Sequence, residues 1–164
     1  MIKIVLTVLL ILSAMGFGFC HMLANDTPPY SSMGNIAILF MIALIPLFIG
    51  VVYCWYVLIQ PTTRKWRKWL IFILPVHIFV AIIYQYRSLD DYRELLVENY
   101  NTYDQTTDQA STEEYIEMIT QGLNSQMNSQ YFNLNTWLAF VSLTIWVAFI
   151  FRLLIQKKKN RVCK

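Results

Sequence analysis

The chain has 164 residues, of which 57% are hydrophobic and only 14% are charged, with a formal net charge of +3. A soluble domain typically carries about a quarter charged residues, and here the apolar residues fall in long runs of the kind that cross a membrane. This composition excludes a soluble enzyme and predicts an all-α integral membrane protein with a four-transmembrane-helix bundle.

The first two predicted spans are residues 1–23 and 36–59. Each is close to the roughly 20 residues that cross a hydrocarbon core of about 30 Å. Because Lys3 precedes the first apolar run, a signal sequence is an alternative interpretation of it. Residues 24–35 contain Pro28 and Pro29 and predict an outer loop. Pro46 lies inside the second span and predicts a kink.

The second half of the chain predicts two further spans around one long polar segment. Residues 60–68 form a short basic loop, residues 69–86 a third span that contains Pro75, and residues 87–132 an acidic stretch. A fourth span follows at 133–155, and a basic tail occupies 156–164.

Charge placement predicts the orientation. Eleven of the 13 basic residues would lie on one side of the membrane, with only Arg87 and Arg93 on the other. The positive-inside rule makes the basic side cytoplasmic. We therefore expect both termini in the cytoplasm, residues 87–132 to be extracytoplasmic, and the protein to reside in a bacterial cytoplasmic (inner) membrane.

Aromatic residues cluster at the predicted span ends, which is the depth that amphipathic rings prefer. Near the inner boundary they are Trp55, Tyr56, Trp66 and Trp69, and near the outer boundary Tyr84, Tyr86, Tyr131 and Trp137. We expect them to be membrane anchors rather than ligand contacts.

The segment 87–132 carries nine acidic residues against two arginines. Capping-box patterns at 88–91 and 111–114 predict two helix starts, and apolar residues then recur three or four positions apart, which predicts an apolar stripe on each helix. The stripes are Leu89, Tyr92, Leu96, Tyr100 and Tyr103, then Tyr115, Ile119, Leu123 and Met127. The prediction is a helical extracytoplasmic hairpin with its turn at 102–110.

Two interpretations of this hairpin are open. The stripes pack on each other, or the tyrosine-rich stripe docks a partner, since tyrosine is enriched at interfaces. The candidate partner-binding residues are Asp90, Asp91, Tyr92, Glu94, Glu98, Tyr100, Glu113, Glu114 and Tyr115. The calcium-loop pattern is absent, so the carboxylates predict a solvated acidic face rather than a metal site.

His77 is the intramembrane polar candidate. It follows Pro75 by two residues, and a neutral imidazole there predicts a hydrogen bond to Ser142 or Thr144 on the fourth span, or to another freed group. A proton-relay or ligand role is the alternative. His21 and His77 would lie at different depths, which argues against a shared haem. Cys20, Cys54 and Cys163 show no CxxC spacing. We predict no catalytic residue, cofactor or metal.

Small residues predict close helix approach at three places. The pairs are Ala14 and Gly18 on the first span, Gly50 and Cys54 on the second, and Thr144 and Ala148 on the fourth. Topology determination is the favoured explanation of the basic clusters at 64–68 and 157–164, and contact with anionic lipid headgroups is the alternative. The clusters are too short to predict nucleic-acid binding.

The favoured hypothesis is a non-catalytic accessory, regulatory or immunity-type protein that binds another membrane protein. A small oligomeric transporter or channel subunit is the alternative, and a membrane enzyme acting on lipid or quinone is a third. The layout resembles tetraspanins in its four spans and large outer loop, but the Cys-Cys-Gly sequence of that loop is missing. At topology level it also resembles small membrane immunity proteins that protect bacteria from pore-forming toxins.

Overall fold

The computed structural model describes residues 1–24, 35–59, 64–103 and 109–162, and these contain helices and no strand. The remaining parts of the predicted loops, the hairpin turn and the chain end, including Cys163, lie outside the described residues. The helices are α1 (Ile2–Met22), α2 (Ala37–Leu58), α3 (Arg64–Tyr103), α4 (Gln109–Ile119), α5 (Asn128–Tyr131) and α6 (Leu134–Val162), with a 3-10 turn at Ser125–Met127 before α5.

Four helical stretches in the described part of the chain are long and apolar enough to cross a membrane. They are Ile2–Met22, Ala37–Leu58, Trp69–Asn101 and Leu134–Gln156. A helix satisfies its own backbone hydrogen bonds, so such stretches suit hydrocarbon. The prediction of an all-α chain with four candidate spans is confirmed.

The four long helices alternate in direction. Leu6 on α1 packs with Val51 and Cys54 near the end of α2, so these two helices are antiparallel. Helix α6 lies between α2 and α3, which it contacts on different faces. We call the end of the bundle where α1 ends and α6 begins the hairpin end, and the opposite end the tail end.

Small residues bring the helices together, at partly different positions from those predicted. On α6, Thr144 and Ala148 are fully buried, as predicted. On α1 the close approach is at Gly16, where an added Cβ would overlap the ring of Phe40, whereas Gly18 has open space around it. The prediction for Gly18 was therefore wrong by two residues, because helix rotation decides which glycine faces α2.

Aromatic rings fill the hairpin end of the bundle. Phe17 on α1 lies 5.5 Å from Phe132 and 6.0 Å from Phe40, measured between ring centroids and in edge-on geometry. Edge-on contacts suit the ring quadrupoles. Phe17 and Phe132 are both buried, so this cluster ties α1 and α2 to the start of α6.

The predicted anchors divide into two groups. Trp69, Tyr84 and Tyr86 expose most of their side chains, as anchors require. Trp137 instead donates its indole N–H to Oγ of the buried Ser13 on α1 at 3.1 Å, and Tyr131 donates its hydroxyl to the Gly122 carbonyl at 2.7 Å. These last two side chains therefore contribute to internal packing.

Helix α3 corrects two predicted boundaries. It runs for 40 residues without a break, so the predicted helix start at 88–91 is wrong and the third span continues directly into the hairpin. Helix α4 begins at Gln109, before the predicted start at Ser111. Pro46 and Pro75 both lie inside continuous helices.

Arg152 closes the tail end of the bundle. Its guanidinium donates to the Tyr56 carbonyl at 3.0 Å and lies 5.1 Å from the centre of the Tyr56 ring. Helix α2 ends at Leu58, so the Tyr56 carbonyl lacks a helical donor. A cation at a helix C-terminus is also favoured by the helix dipole, and Arg152 therefore links α6 to the end of α2.

Candidate partner surface and capped cavity

The hairpin formed by α3 and α4 has its own apolar core. Leu96, Ile116 and Ile119 are buried in it, and Tyr92, Tyr100 and Tyr115 pack against them. The rings of Tyr100 and Tyr115 lie 5.4 Å apart. The tyrosines among the candidate partner-binding residues are therefore half-buried in internal packing, which favours the first interpretation of the stripes.

Polar contacts join α3 to the chain that follows α4 within this hairpin. Nε of Arg93 donates to Oγ1 of the buried Thr120 at 2.9 Å, and the Tyr92 hydroxyl donates to the Gln126 carbonyl at 2.9 Å. Helix α4 ends at Ile119, and Gly122 turns the chain with a φ of 64°. Leu123, expected on the apolar stripe, is 51% exposed because it follows that turn.

The acidic candidates lie on the opposite surface of the hairpin. All seven carboxylates with described side chains are exposed: Asp90, Asp91, Glu94, Glu98, Glu113, Glu114 and Glu117. We call these residues the acidic face. It combines α3 and α4, and its α3 part belongs to the same continuous helix as the apolar run that begins at Trp69.

Each helix of the acidic face also exposes one large apolar side chain. Leu95 is 50% exposed and lies three or four positions from Asp91 and Glu98, so these three side chains share one helical stripe. Met118 is 60% exposed and lies four positions after Glu114. The surface therefore offers both negative charge and apolar contact.

A pair of asparagines links the first residue of α5 to the chain just before α2. Nδ2 of Asn35 donates to Oδ1 of Asn128 at 2.9 Å, and Nδ2 of Asn128 donates to Oδ1 of Asn35 at 3.0 Å. Nδ2 of Asn128 also donates to the Leu23 carbonyl at 3.4 Å, and Nδ2 of Asn35 donates to the Leu123 carbonyl at 2.9 Å. Asn128 is only 1% exposed, so nearly all its hydrogen-bonding capacity is met within the protein.

A second amide group joins α3, α5 and α6. Nε2 of Gln85 donates to Oε1 of Gln130 at 2.9 Å, and Oε1 of Gln85 accepts from Nδ2 of Asn133 at 3.1 Å. Nδ2 of Asn135 donates to the Ala81 carbonyl at 2.9 Å. Together with the asparagine pair, this group forms a polar cap of uncharged side chains over the hairpin end.

A cavity of about 420 Å³ lies beneath this cap between α3 and α6. Its apolar wall is formed by Ala81, Ile82, Leu89, Met127 and Ala139. Its polar part is formed by Gln85, Thr120, Gln130, Asn135 and Thr136, with Tyr86 and Tyr131 beside them. None of these side chains is charged, and the phenol groups of Tyr86 and Tyr131 are the only ones among them of a type that acts as a general acid or base, so the cavity offers mainly hydrogen bonds and apolar contact.

The polar cap was missed by the sequence analysis. The run from Asn124 to Gln130 predicts only a weakened end of the second hairpin helix, whereas Asn128, Gln130 and Phe132 are all buried. The available signal was its amide-rich composition without charge in an otherwise strongly acidic segment.

His77 behaves as the favoured interpretation predicts. Its Nδ1 lies 3.0 Å from Oγ of Ser142 on α6, and the imidazole is half-buried. The alternative partner Thr144 donates its hydroxyl to the Val141 carbonyl of its own helix at 2.7 Å. The His77–Ser142 contact therefore joins α3 to α6 midway along the candidate spans.

We expect His77→Leu to cost about 0.6 kcal/mol, the average for an interhelical hydrogen bond between membrane helices. The loss is small because the Ser142 hydroxyl can turn to a carbonyl of its own helix. A double-mutant cycle with Ser142→Ala, read by unfolding in detergent micelles, measures the coupling. Full additivity of the two substitutions would contradict a contribution from this hydrogen bond.

The described side chains contain no group of three or more histidine, cysteine or acidic residues placed to hold a metal ion. Cys20 and Cys54 are both free. The fold thus defines an all-helical protein with four candidate membrane spans and a polar cap. Comparisons with protein-family models, curated proteins and solved structures found no match to this chain.

Proposed function

We propose that this chain is a non-catalytic multi-pass membrane protein that acts as an accessory, regulatory or immunity-type partner of another membrane protein. The observation that carries the proposal is the division of the hairpin into a buried tyrosine-containing core and an exposed acidic face. The partner contacts are Asp90, Asp91, Glu94, Glu98, Glu113 and Glu114, with Leu95 and Met118 added. Tyr92, Tyr100 and Tyr115 pack in the core of the hairpin, on the side opposite to this face.

The rigidity of the hairpin supports a binding role. Helix α3 passes from its apolar stretch into the acidic face without a break, and the Arg93–Thr120 and Tyr92–Gln126 hydrogen bonds attach the second helix to it. A preorganised surface binds more tightly because less conformational entropy is lost on association. The expected partner surface is basic with an apolar groove.

The proposal includes a topology. The start of α1, the start of α3 and the end of α6 lie at the tail end of the bundle, and these are the parts of the sequence that carry the basic segments. With those segments in the cytoplasm, the acidic face is extracytoplasmic, and the compartment we propose is the bacterial cytoplasmic membrane. The bilayer is the first partner, and the second is a membrane protein or another copy of this chain.

The transporter alternative gains little support from the described residues. Both prolines lie within continuous helices, although discontinuous helices are the usual form of a midplane transport site. The imidazole of His77 is engaged by Ser142. A catalytic role for the cavity is likewise unsupported, because its lining carries no carboxylate, histidine or cysteine.

Crosslinking in intact cells tests the proposal. The chain, tagged at its C-terminus, is crosslinked and solubilised, and proteins that copurify are identified by mass spectrometry. We expect one dominant membrane-protein partner, whose recovery falls about tenfold or more when Asp90, Glu94 and Glu98 are changed to lysine, because like charges then oppose a basic surface.

The control is Asn99→Lys with Gln121→Lys, which adds positive charge at exposed positions on α3 and in the turn after α4 and keeps every carboxylate. Recovery of the partner should remain close to that of the unaltered chain. Purification of the protein alone would reject the accessory role, and equal loss in the control variant would reject the acidic face as the contact.

A further inference from the structure

We propose that the cavity between α3 and α6 binds a phospholipid of the surrounding bilayer. One acyl chain lies against the apolar wall, and an ester carbonyl oxygen accepts a hydrogen bond from Nε2 of Gln130. This inference concerns a different part of the molecule from the acidic face and does not depend on the partner proposal.

The amide network determines which atom of Gln130 is left open. Asn133 and Asn135 both direct Nδ2 at backbone carbonyls and also at Oε1 of Gln85. The other end of Gln85, Nε2, therefore donates to Oε1 of Gln130. The orientation of Gln130 follows from this chain of donors and acceptors.

Nε2 of Gln130 is consequently a donor without a partner in the described part of the protein. Its Oε1 already accepts from Gln85 and from the Ser88 hydroxyl at 3.3 Å. The residue is 8% exposed and lines the cavity. Because Gln130 lines the cavity, this open donor is accessible to an acceptor oxygen of a ligand there.

The chemistry of the cavity selects an uncharged oxygen. Phosphate and carboxylate groups are usually held by arginine or lysine, and none lines the cavity. Amide N–H groups suit a carbonyl, and the apolar wall from Ala81, Ile82 and Ala139 suits a hydrocarbon chain. On α3 the cavity extends from Ala81 to Leu89, just before the exposed Asp90. This is the apolar–polar boundary of the helix, and lipid esters lie at the corresponding interfacial depth of a bilayer.

Photolabelling of the full chain in vesicles tests the assignment. The probe is a diacyl phosphatidylglycerol with a diazirine in one acyl chain, and labelled peptides are mapped by mass spectrometry. Label on residues 81–89 and 127–139 is compared with label around the exposed Phe72, which serves as the reference for ordinary lipid contact.

Two variants act on different parts of the site. Gln130→Glu keeps the accepting Oε1 and replaces the open donor by an oxygen, so at alkaline pH cavity labelling should fall about tenfold. Ala139→Phe fills the cavity without touching the amide network and should reduce labelling at least as much. Leu138→Phe, at a side chain that is 42% exposed, is the matched control and should leave labelling unchanged.

Unchanged cavity labelling in either Gln130→Glu or Ala139→Phe would overturn the proposal. Complete displacement of the label by an isoprenoid quinone present at equal concentration would also overturn it, because the occupant would then be a quinone. Loss of label in both variants, with Leu138→Phe and the Phe72 reference unaffected, supports a bound phospholipid.

Discussion

Asn128→Asp should destabilise the bundle by about 3–5 kcal/mol, the cost of leaving a buried charge without a partner. Nδ2 of Asn128 lies 3.0 Å from Oδ1 of Asn35 and 3.4 Å from the Leu23 carbonyl. The substitution puts a carboxylate oxygen against these two acceptors at a residue that is 1% exposed. Denaturant unfolding in detergent micelles, followed by circular dichroism, measures the loss.

The pH dependence of the stability of Asn128→Asp provides a second test. Burial disfavours the charged carboxylate and so raises the pKa of the introduced aspartate in the folded state. The loss of stability is therefore expected at neutral pH and should shrink as the pH falls through that raised pKa, where the protonated acid can donate to Asn35. Asn99→Asp, at an exposed position of α3, is the control and should stay within about 0.5 kcal/mol of the unaltered chain. Equal behaviour of the two variants would disprove the buried asparagine lock.

Gly16→Ala is expected to cost about 1–3 kcal/mol, the usual range for overpacking in a filled core. A Cβ at this position overlaps the ring of Phe40. That ring cannot move freely, because the rings of Phe17 and Phe132 lie 6.0 Å and 5.7 Å from it. The substitution should therefore push α1 away from α2 and loosen the aromatic cluster at the hairpin end.

Gly18→Ala supplies the matched control two residues along the same helix. A Cβ there meets nothing within 4 Å, so stability should change by less than about 0.5 kcal/mol. Thermal unfolding of both variants in the same detergent separates the local effect from helix propensity, which alanine improves equally at both positions. A smaller loss for Gly16→Ala than for Gly18→Ala would contradict the packing of α1 against α2.

Part of the candidate site was predictable because it depends on local periodicity. Spacings of three and four residues place Tyr92, Leu96 and Tyr100 on one face of a helix and the carboxylates on the other. Whether the tyrosines face a partner or the second helix is a different question. The packing of Tyr100 against Tyr115 answers it through a contact between distant parts of the chain.

The continuous course of α3 could not be predicted from its sequence. Ser88–Asp91 matches a capping box, yet such a pattern marks a helix start only when the preceding residues are not already helical. Here α3 is already helical before Ser88 and continues without a break through residues 88–91. The Ser88 hydroxyl donates to Gln130 instead of capping a helix start.

The sequence by itself determined the class of protein and its four candidate spans. Hydrocarbon leaves a backbone no hydrogen-bond partner except its own helix, so a long apolar run is sufficient to predict a span. The sequence also predicted a hydrogen bond from His77 to Ser142 or Thr144, since few other polar groups lie at that depth, and the structure pairs His77 with Ser142.

Only the tertiary structure showed which residues form the polar cap, that a cavity lies beside it, and which glycine of α1 is in contact with α2. The asparagine pair joins residues 93 positions apart in the sequence. No local sequence pattern predicts the hydrogen-bond partner of an amide side chain. Burial of Asn128, Gln130 and Phe132 depends on α1, α3 and the start of α2 meeting this segment in one arrangement. The structure of the hairpin end therefore depends on hydrogen bonds between buried amide side chains that are far apart in the sequence, and not on local secondary-structure propensity.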